Sequence, residues 1–210
     1  MKTMKKGVFI ALEGCEGVGK STQLKKLEEF LRSTGREVVV TREPGGTTLA
    51  EGIRELILHR EMDALTECYL FASARIDHIN KVILPAVERG AIVLCDRYID
   101  SSFAYQAYAR GLGMEKVRAV NAYAVENCMP DLTVFIDMNP LESFRVKSGK
   151  KIIDDRMENE GAEFHLAVYN GFKQVAAAEP GRFVSVSPCE EKDETAAKIR
   201  EAVLKSGVLS

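Results

Sequence analysis

The chain has 210 residues, 46% apolar and 29% charged, which suits a packed core with a hydrated surface and excludes global disorder. Lys plus Arg number 29 and Asp plus Glu 31, so the net charge of −2 argues against a strongly basic nucleic-acid binder. No apolar run approaches the roughly 18 residues of a membrane span. The five scattered cysteines contain no CxxC pair and read as reduced apolar residues of a cytoplasmic protein.

In chain order, the basic start MKTMKK meets only a short apolar stretch, Val8 to Leu12, with no small-residue cleavage site before Glu13. Gly7–Glu13 is therefore predicted as a buried first strand and not a signal peptide. Ser21–Thr34 is predicted helical from Leu24, Leu27 and Leu31, and Gly35 stops it. Glu37–Thr41 is a Val-rich second strand, followed by the turn Arg42–Thr47 and a helix over Thr48–His59. A long helix is expected over Leu65–Glu88, interrupted at Pro85. Ala91–Cys95 is the third strand and Met114–Asn127 the next helical region. Leu132–Asp137 is the fourth strand, with a short helix over Pro140–Val146. A charged segment follows, then a helix over Ala162–Ala178, a fifth strand over Arg182–Val186 and a final helix over Thr195–Lys205.

This alternation predicts an α/β fold of three layers, a five-stranded parallel sheet flanked by helices, as one domain over residues 1–210. Ligands on such sheets bind beyond the carboxyl ends of the strands, so the chemistry is expected there.

Gly14-Cys15-Glu16-Gly17-Val18-Gly19-Lys20-Ser21 matches the phosphate loop G-x-x-x-x-G-K-[ST] at every fixed position, between a strand and a helix. Its backbone N–H groups, with Thr22 on the helix start, are expected to cradle ATP phosphates. Lys20 would reach the β- and γ-phosphates and Ser21 would ligate Mg²⁺. Glu16 would repel phosphates if it faced them, so it is expected to point at a second ligand, the alternative being solvent.

Arg42-Glu43-Pro44-Gly45-Gly46-Thr47, after strand two, is either a rigid turn that admits a substrate, with Arg42 on a phosphate, or a plain tight turn. Asp96-Arg97-Tyr98, after strand three, places an acid near the Mg²⁺ shell and a planar fork for phosphate, unless the two form a buried structural pair. Phe71 and Arg75 share a helix face, either for a nucleobase or as a core ring beside a surface cation.

Taken in order, these clusters resemble the thymidylate kinases, from Phe9 to about Phe183. The most specific pieces are Arg42–Thr47 and Asp96–Gln106, supported by Glu13–Gly17, Phe71–Arg75 and Pro130-Asp131-Leu132. The resemblance implies Mg²⁺-dependent transfer of the ATP γ-phosphoryl group to dTMP by a homodimer, with the long helix at the interface. It implies that Phe71 stacks on thymine, that Arg75 bonds a thymine carbonyl with Ser102 and Gln106 nearby, and that Tyr105 lies against the deoxyribose. It also implies Glu16 on the 3′-hydroxyl, Arg97 on the dTMP phosphate, Arg42 and Pro44 close by, and Asp96 with Ser21 at the metal. Two alternatives stand: a kinase with another nucleotide acceptor, such as dUMP, or a nucleotide-binding protein of weak activity.

Residues 145–160 fall where the family carries its lid. The phosphate loop has no basic residue among its variable positions, and such members supply a lid arginine to the transferring group. Arg145, Lys150 with Lys151, and Arg156 are the candidates here, the alternative being a solvated charged loop, and Arg156 in Asp154-Asp155-Arg156 best fits the family's Asp-Arg element. Asp77 stands where glutamine is expected.

Overall fold

Continuous Val, Ile and Leu runs bury both faces of a strand, and the sheet obeys that rule. Five parallel strands, β1 (Val8–Gly14), β2 (Val38–Arg42), β3 (Ile92–Asp96), β4 (Leu132–Ile136) and β5 (Phe183–Val186), lie in the order β2-β3-β1-β4-β5. The structure is a computed structural model and describes residues 7–142, 156–157 and 160–210. β1 and β4 are buried at every position, whereas edge strand β2 alternates toward solvent.

Register sets the site. Leu12 of β1 and Arg42 of β2 both pair with Asp96 of β3. The carboxyl ends of β2 and β3 thus stop at one level, β1 runs two residues further, and Gly14, Arg42 and Arg97 emerge at the same end of the sheet. Asp131 ties β4 in by accepting from the Phe9 N–H at 2.8 Å.

The helices are α1 (Lys20–Ser33), α2 (Thr48–His59), α3 (Ala64–His78), α4 (Leu84–Glu88), α5 (Ile99–Ser102), α6 (Met114–Val120), α7 (Ala122–Asn127), α8 (Ala162–Ala178) and α9 (Lys192–Lys205). Residues 140–142 are also helical, and the rest of the short helix expected there lies outside the described residues. The long helix does not run to Pro85. It ends at His78, and Ile79–Ile83 winds as a π-helix before α4 resumes with Pro85 in its first turn, where a missing N–H is tolerated.

The helix expected over 114–127 is two helices meeting at Asn121, whose φ of −99° and ψ of 20° break the winding. The region after Tyr98, given no element from the sequence, is helical throughout: α5, then a π-helix over Phe103–Ala109. α8 lies directly on this π-helix. A Cβ on Gly171 would stand 2.9 Å from the Ala104 backbone, so only glycine permits the approach. Phe172 then reaches the core and stacks on Phe135 of β4 at 5.0 Å.

Candidate active site

The phosphate loop turns through left-handed backbone at Gly17 and Gly19, with φ of 80° and 88°. Lys20, buried at the start of α1, donates from Nζ to the Gly14 and Cys15 carbonyls at 3.3 and 3.4 Å. Burial, and then the nearby Arg97, lower its pKa. Burial pushes the Cys15 thiol up to about 12, so it is a packing residue and not a nucleophile.

Arg97 is the only non-glycine residue with positive φ among those described, at 66°. The turn that forces this conformation carries the guanidinium back over the phosphate loop. There it pairs with Glu16, donates to Ser101 Oγ at 3.2 Å and lies 5.4 Å from the Tyr105 ring centre. Burial works against its charge, but Glu16, with Glu13 and Asp96 behind it, raises its pKa well above the ordinary value.

Glu13 underpins this turn. Fully buried, it accepts from the Tyr98 and Ser101 N–H groups at 2.8 and 3.2 Å and from Ser101 Oγ at 2.8 Å. Burial pushes its carboxyl up to about 7, against the pull of Arg97 at 3.8 Å.

Arg75, on α3, is 2% exposed. Its Nε donates to Glu43 Oε2 at 2.7 Å, its Nη1 to Asn121 Oδ1 at 2.5 Å and its Nη2 to the Tyr98 carbonyl at 3.5 Å. Glu43 also pairs with His78 Nδ1 at 2.9 Å, and His78 Nε2 meets Thr41 Oγ1 at 2.7 Å. The open choice for Arg75 is thus resolved against a surface cation. Asp77 instead accepts from Thr47 Oγ1 at 2.5 Å and pairs with Lys81 at 2.6 Å. It is not among the cleft residues, so the missing glutamine does not alter the cleft wall.

One cleft of about 280 Å³ gathers these groups. Glu16, Lys20, Ser21, Asp96 and Arg97 line it where phosphate chemistry was expected. Arg42, Pro44, Phe71, Arg75, Ser102, Tyr105 and Gln106, expected for the second nucleotide, line it too. Ser102, Tyr105 and Gln106 lie three and four residues apart on one helical face. Gly14, Cys15, Gly17, Val18, Gly19 and Thr22 build the loop and the start of α1 but are not on the cleft wall.

Arg156 lies elsewhere: its Nη2 donates to Glu67 at 2.6 Å and its Nε to the Ile57 carbonyl at 3.2 Å. Arg145 and Lys150 lie outside the described residues. The sequence reading missed Arg54, which lines the cleft from α2 and donates to the Pro44 carbonyl at 3.1 Å. Its spacing with Glu51 and Leu58 along α2 was the available signal. Met157 also lines the cleft.

Two buried atoms with no hydrogen-bond partner among the described residues belong to this wall: Asp96 Oδ1 and Ser102 Oγ. A buried carboxylate oxygen without a donor, in a cleft that Ser21 also lines, fits a hard divalent cation that takes oxygen ligands. The described residues contain no group of three His, Cys, Asp or Glu able to hold a metal alone. That donor set suits an ion that takes the rest of its ligands from phosphate and water.

A phosphate loop on a parallel sheet, facing a second arginine-lined pocket within one cleft, defines a P-loop phosphotransferase acting on a small phosphorylated acceptor. The comparisons with known proteins narrow this class. The thymidylate kinase family model matches residues 12–199. A thymidylate kinase of Shouchella clausii is 49% identical over 187 residues, covering 87% of this chain and 88% of that protein. One from Caldanaerobacter subterraneus subsp. tengcongensis is 45% identical over 188 residues, covering 89% of each. The crystal structure of thymidylate kinase from Ehrlichia chaffeensis superposes with a TM-score of 0.77 at 30% identity, covering 95% of this chain and 99% of that one. The chain belongs to the thymidylate kinase family.

Proposed function

We propose that the chain catalyses the reaction of its family, phosphorylation of dTMP to dTDP with ATP as donor. The observation that carries this reading is the shared wall of the cleft, where Lys20 and Ser21 of the phosphate loop stand with Arg97, Arg75 and Phe71. The donor triphosphate takes the loop's N–H groups, and Lys20 turns from the Gly14 and Cys15 carbonyls to the β- and γ-phosphates. The acceptor phosphate takes the Arg97 fork and so competes with Glu16. Glu16, released from that pair, takes the sugar 3′-hydroxyl. Phe71 stacks on the base, and Arg75, Ser102 and Gln106 read its edge.

Asp96 and Ser21 would hold Mg²⁺, which when bound neutralises charge on the transferring phosphoryl group. No general base is needed, because the attacking oxygen is already anionic; positioning and cations do the work. The family match over residues 12–199 supports one kinase domain.

Exposed Leu65, Tyr69 and Ile76 line one side of α3, with Leu49 and Leu56 on α2, and support a homodimer that covers them. No helix among the described residues is long and apolar enough to cross a membrane, and all five cysteines are free, which supports the cytoplasm as the location.

The test is phosphoryl transfer from ATP to a panel of nucleoside monophosphates. A preference for dTMP is expected, and no preference among the acceptors would sink the reading.

A further inference from the structure

Gln106 lines the cleft with Phe71, Arg75 and Ser102 and is 1% exposed. An amide has unlike ends: the carbonyl accepts and the NH₂ donates. Which end faces the ligand decides which base edge is read. In this chain the choice is made by Glu67, a fully buried residue of α3 that is not on the cleft wall.

Gln106 Nε2 donates to Glu67 Oε1 at 2.9 Å. Arg110 Nη2 and Arg156 Nη2 donate to Glu67 Oε2 at 3.3 and 2.6 Å, so both carboxylate oxygens act as acceptors. Turning the amide over would set the Gln106 carbonyl against a carboxylate oxygen in a buried site, two acceptors with no proton between them. Nε2 is therefore held on Glu67. Oε1, which receives no hydrogen bond among the described residues, is the end left for the cleft.

We infer that Glu67 is a specificity-determining positioning residue: by locking the Gln106 amide it presents only an acceptor to the base. The chain thereby selects pyrimidines that carry a hydrogen on ring N3 over those with a bare N3 lone pair. The inference rests on the acceptor reading above and deepens it. Thymine and uracil carry the N3 hydrogen; cytosine and 5-methylcytosine carry the lone pair.

The test compares kcat/KM for dTMP and 5-methyl-dCMP, which differ only along the N3–C4 edge. Glu67→Gln keeps the side-chain shape, and an amide at position 67 can donate or accept, so Gln106 becomes free to face either way. Arg110 keeps Glu160 at 2.6 Å and Arg156 keeps the Ile57 carbonyl, so neither cation is stranded. The preference for dTMP should fall about tenfold while the KM for ATP stays within about twofold. A purely structural role would lower both acceptors equally and leave the ratio unchanged.

A second variant reads the same lock independently. Gln106→Glu sets two carboxylates together and should cost about 100-fold in kcat/KM for dTMP. Adding Glu67→Gln should restore activity to within about tenfold, because the amide now at position 67 donates to the carboxylate now at position 106. The other oxygen of that carboxylate still faces the base. The double variant keeps one carboxylate in the cluster, so it reads rescue even where Glu67→Gln alone unfolds. An unchanged acceptor ratio in folded Glu67→Gln, or a double variant no better than Gln106→Glu, overturns the inference. Failure of the unsubstituted chain to phosphorylate dTMP would instead overturn the acceptor reading.

Discussion

The two ends of the cleft are built differently. The donor end is a loop of backbone: Gly17 and Gly19 set its turn, and its one cation, Lys20, donates to the Gly14 and Cys15 carbonyls. The acceptor end is built from side chains that other side chains hold. Arg75 is fixed by Glu43 and Asn121, Glu43 by His78, His78 by Thr41, and Gln106 by Glu67. Backbone N–H groups recognise any polyphosphate, so a donor site needs little beyond them and a cation. Choosing one base among several needs donors and acceptors of fixed direction, and fixing them takes a buried polar layer behind the wall.

This contrast can be broken at either end. The largest effect is expected at the donor end: Lys20→Ala should lower kcat by about 10³-fold, the scale of losing a preorganised cation at a transferring phosphoryl group. Arg97→Ala should instead raise the KM for dTMP about 100-fold and leave the KM for ATP within a few-fold, since a charge-assisted fork to phosphate is lost on the acceptor side only. Steady-state kinetics with each substrate varied in turn separate the two, and equal shifts in both KM values would erase the division. Asn121→Ala sharpens the comparison more gently. It leaves Arg75 Nη1 without its acceptor and should raise the KM for dTMP about fivefold, one hydrogen bond's worth, with ATP unaffected.

The smallest effect is one of pH. Glu13 titrates at about 7 in the folded chain against an ordinary 4.5. The folded state therefore binds the extra proton between those values, and its stability advantage is full below 4.5 and lost as pH rises through 7. Urea unfolding should show the native chain losing stability relative to Glu13→Gln across that window, and parallel pH profiles would refute the assignment.

The cleft's front was legible in the sequence and its backing was not. The phosphate loop, the Asp96-Arg97-Tyr98 strand end and the five strands announced themselves through fixed spacing and apolar runs. Glu67 and Asn121 did not, because a lone polar residue in a helical pattern looks the same whether it faces water or a buried guanidinium. Asn121 was hidden further by lying inside what read as one helix over 114–127, where it marks a break and accepts from Arg75, 46 positions earlier. The helical stretch over Ile99–Ala109 was missed because it is buried at most positions, so no polar face marks a helical period. Arg156 fitted a motif, yet its partner Glu67 sits 89 positions earlier, a distance that spacing within a motif does not report.

The pairing of Leu12 and Arg42 with Asp96 also governs when the site comes into being during folding. Each parallel strand must wait for a helical crossover to close before it can dock, and such non-local steps are slow. The central strand must be joined by a neighbour from some 80 positions away before Gly14 and Arg97 stand side by side. Ligands that bridge β1 and β3 bind only the paired strands, so they stabilise this non-local pairing against unfolding.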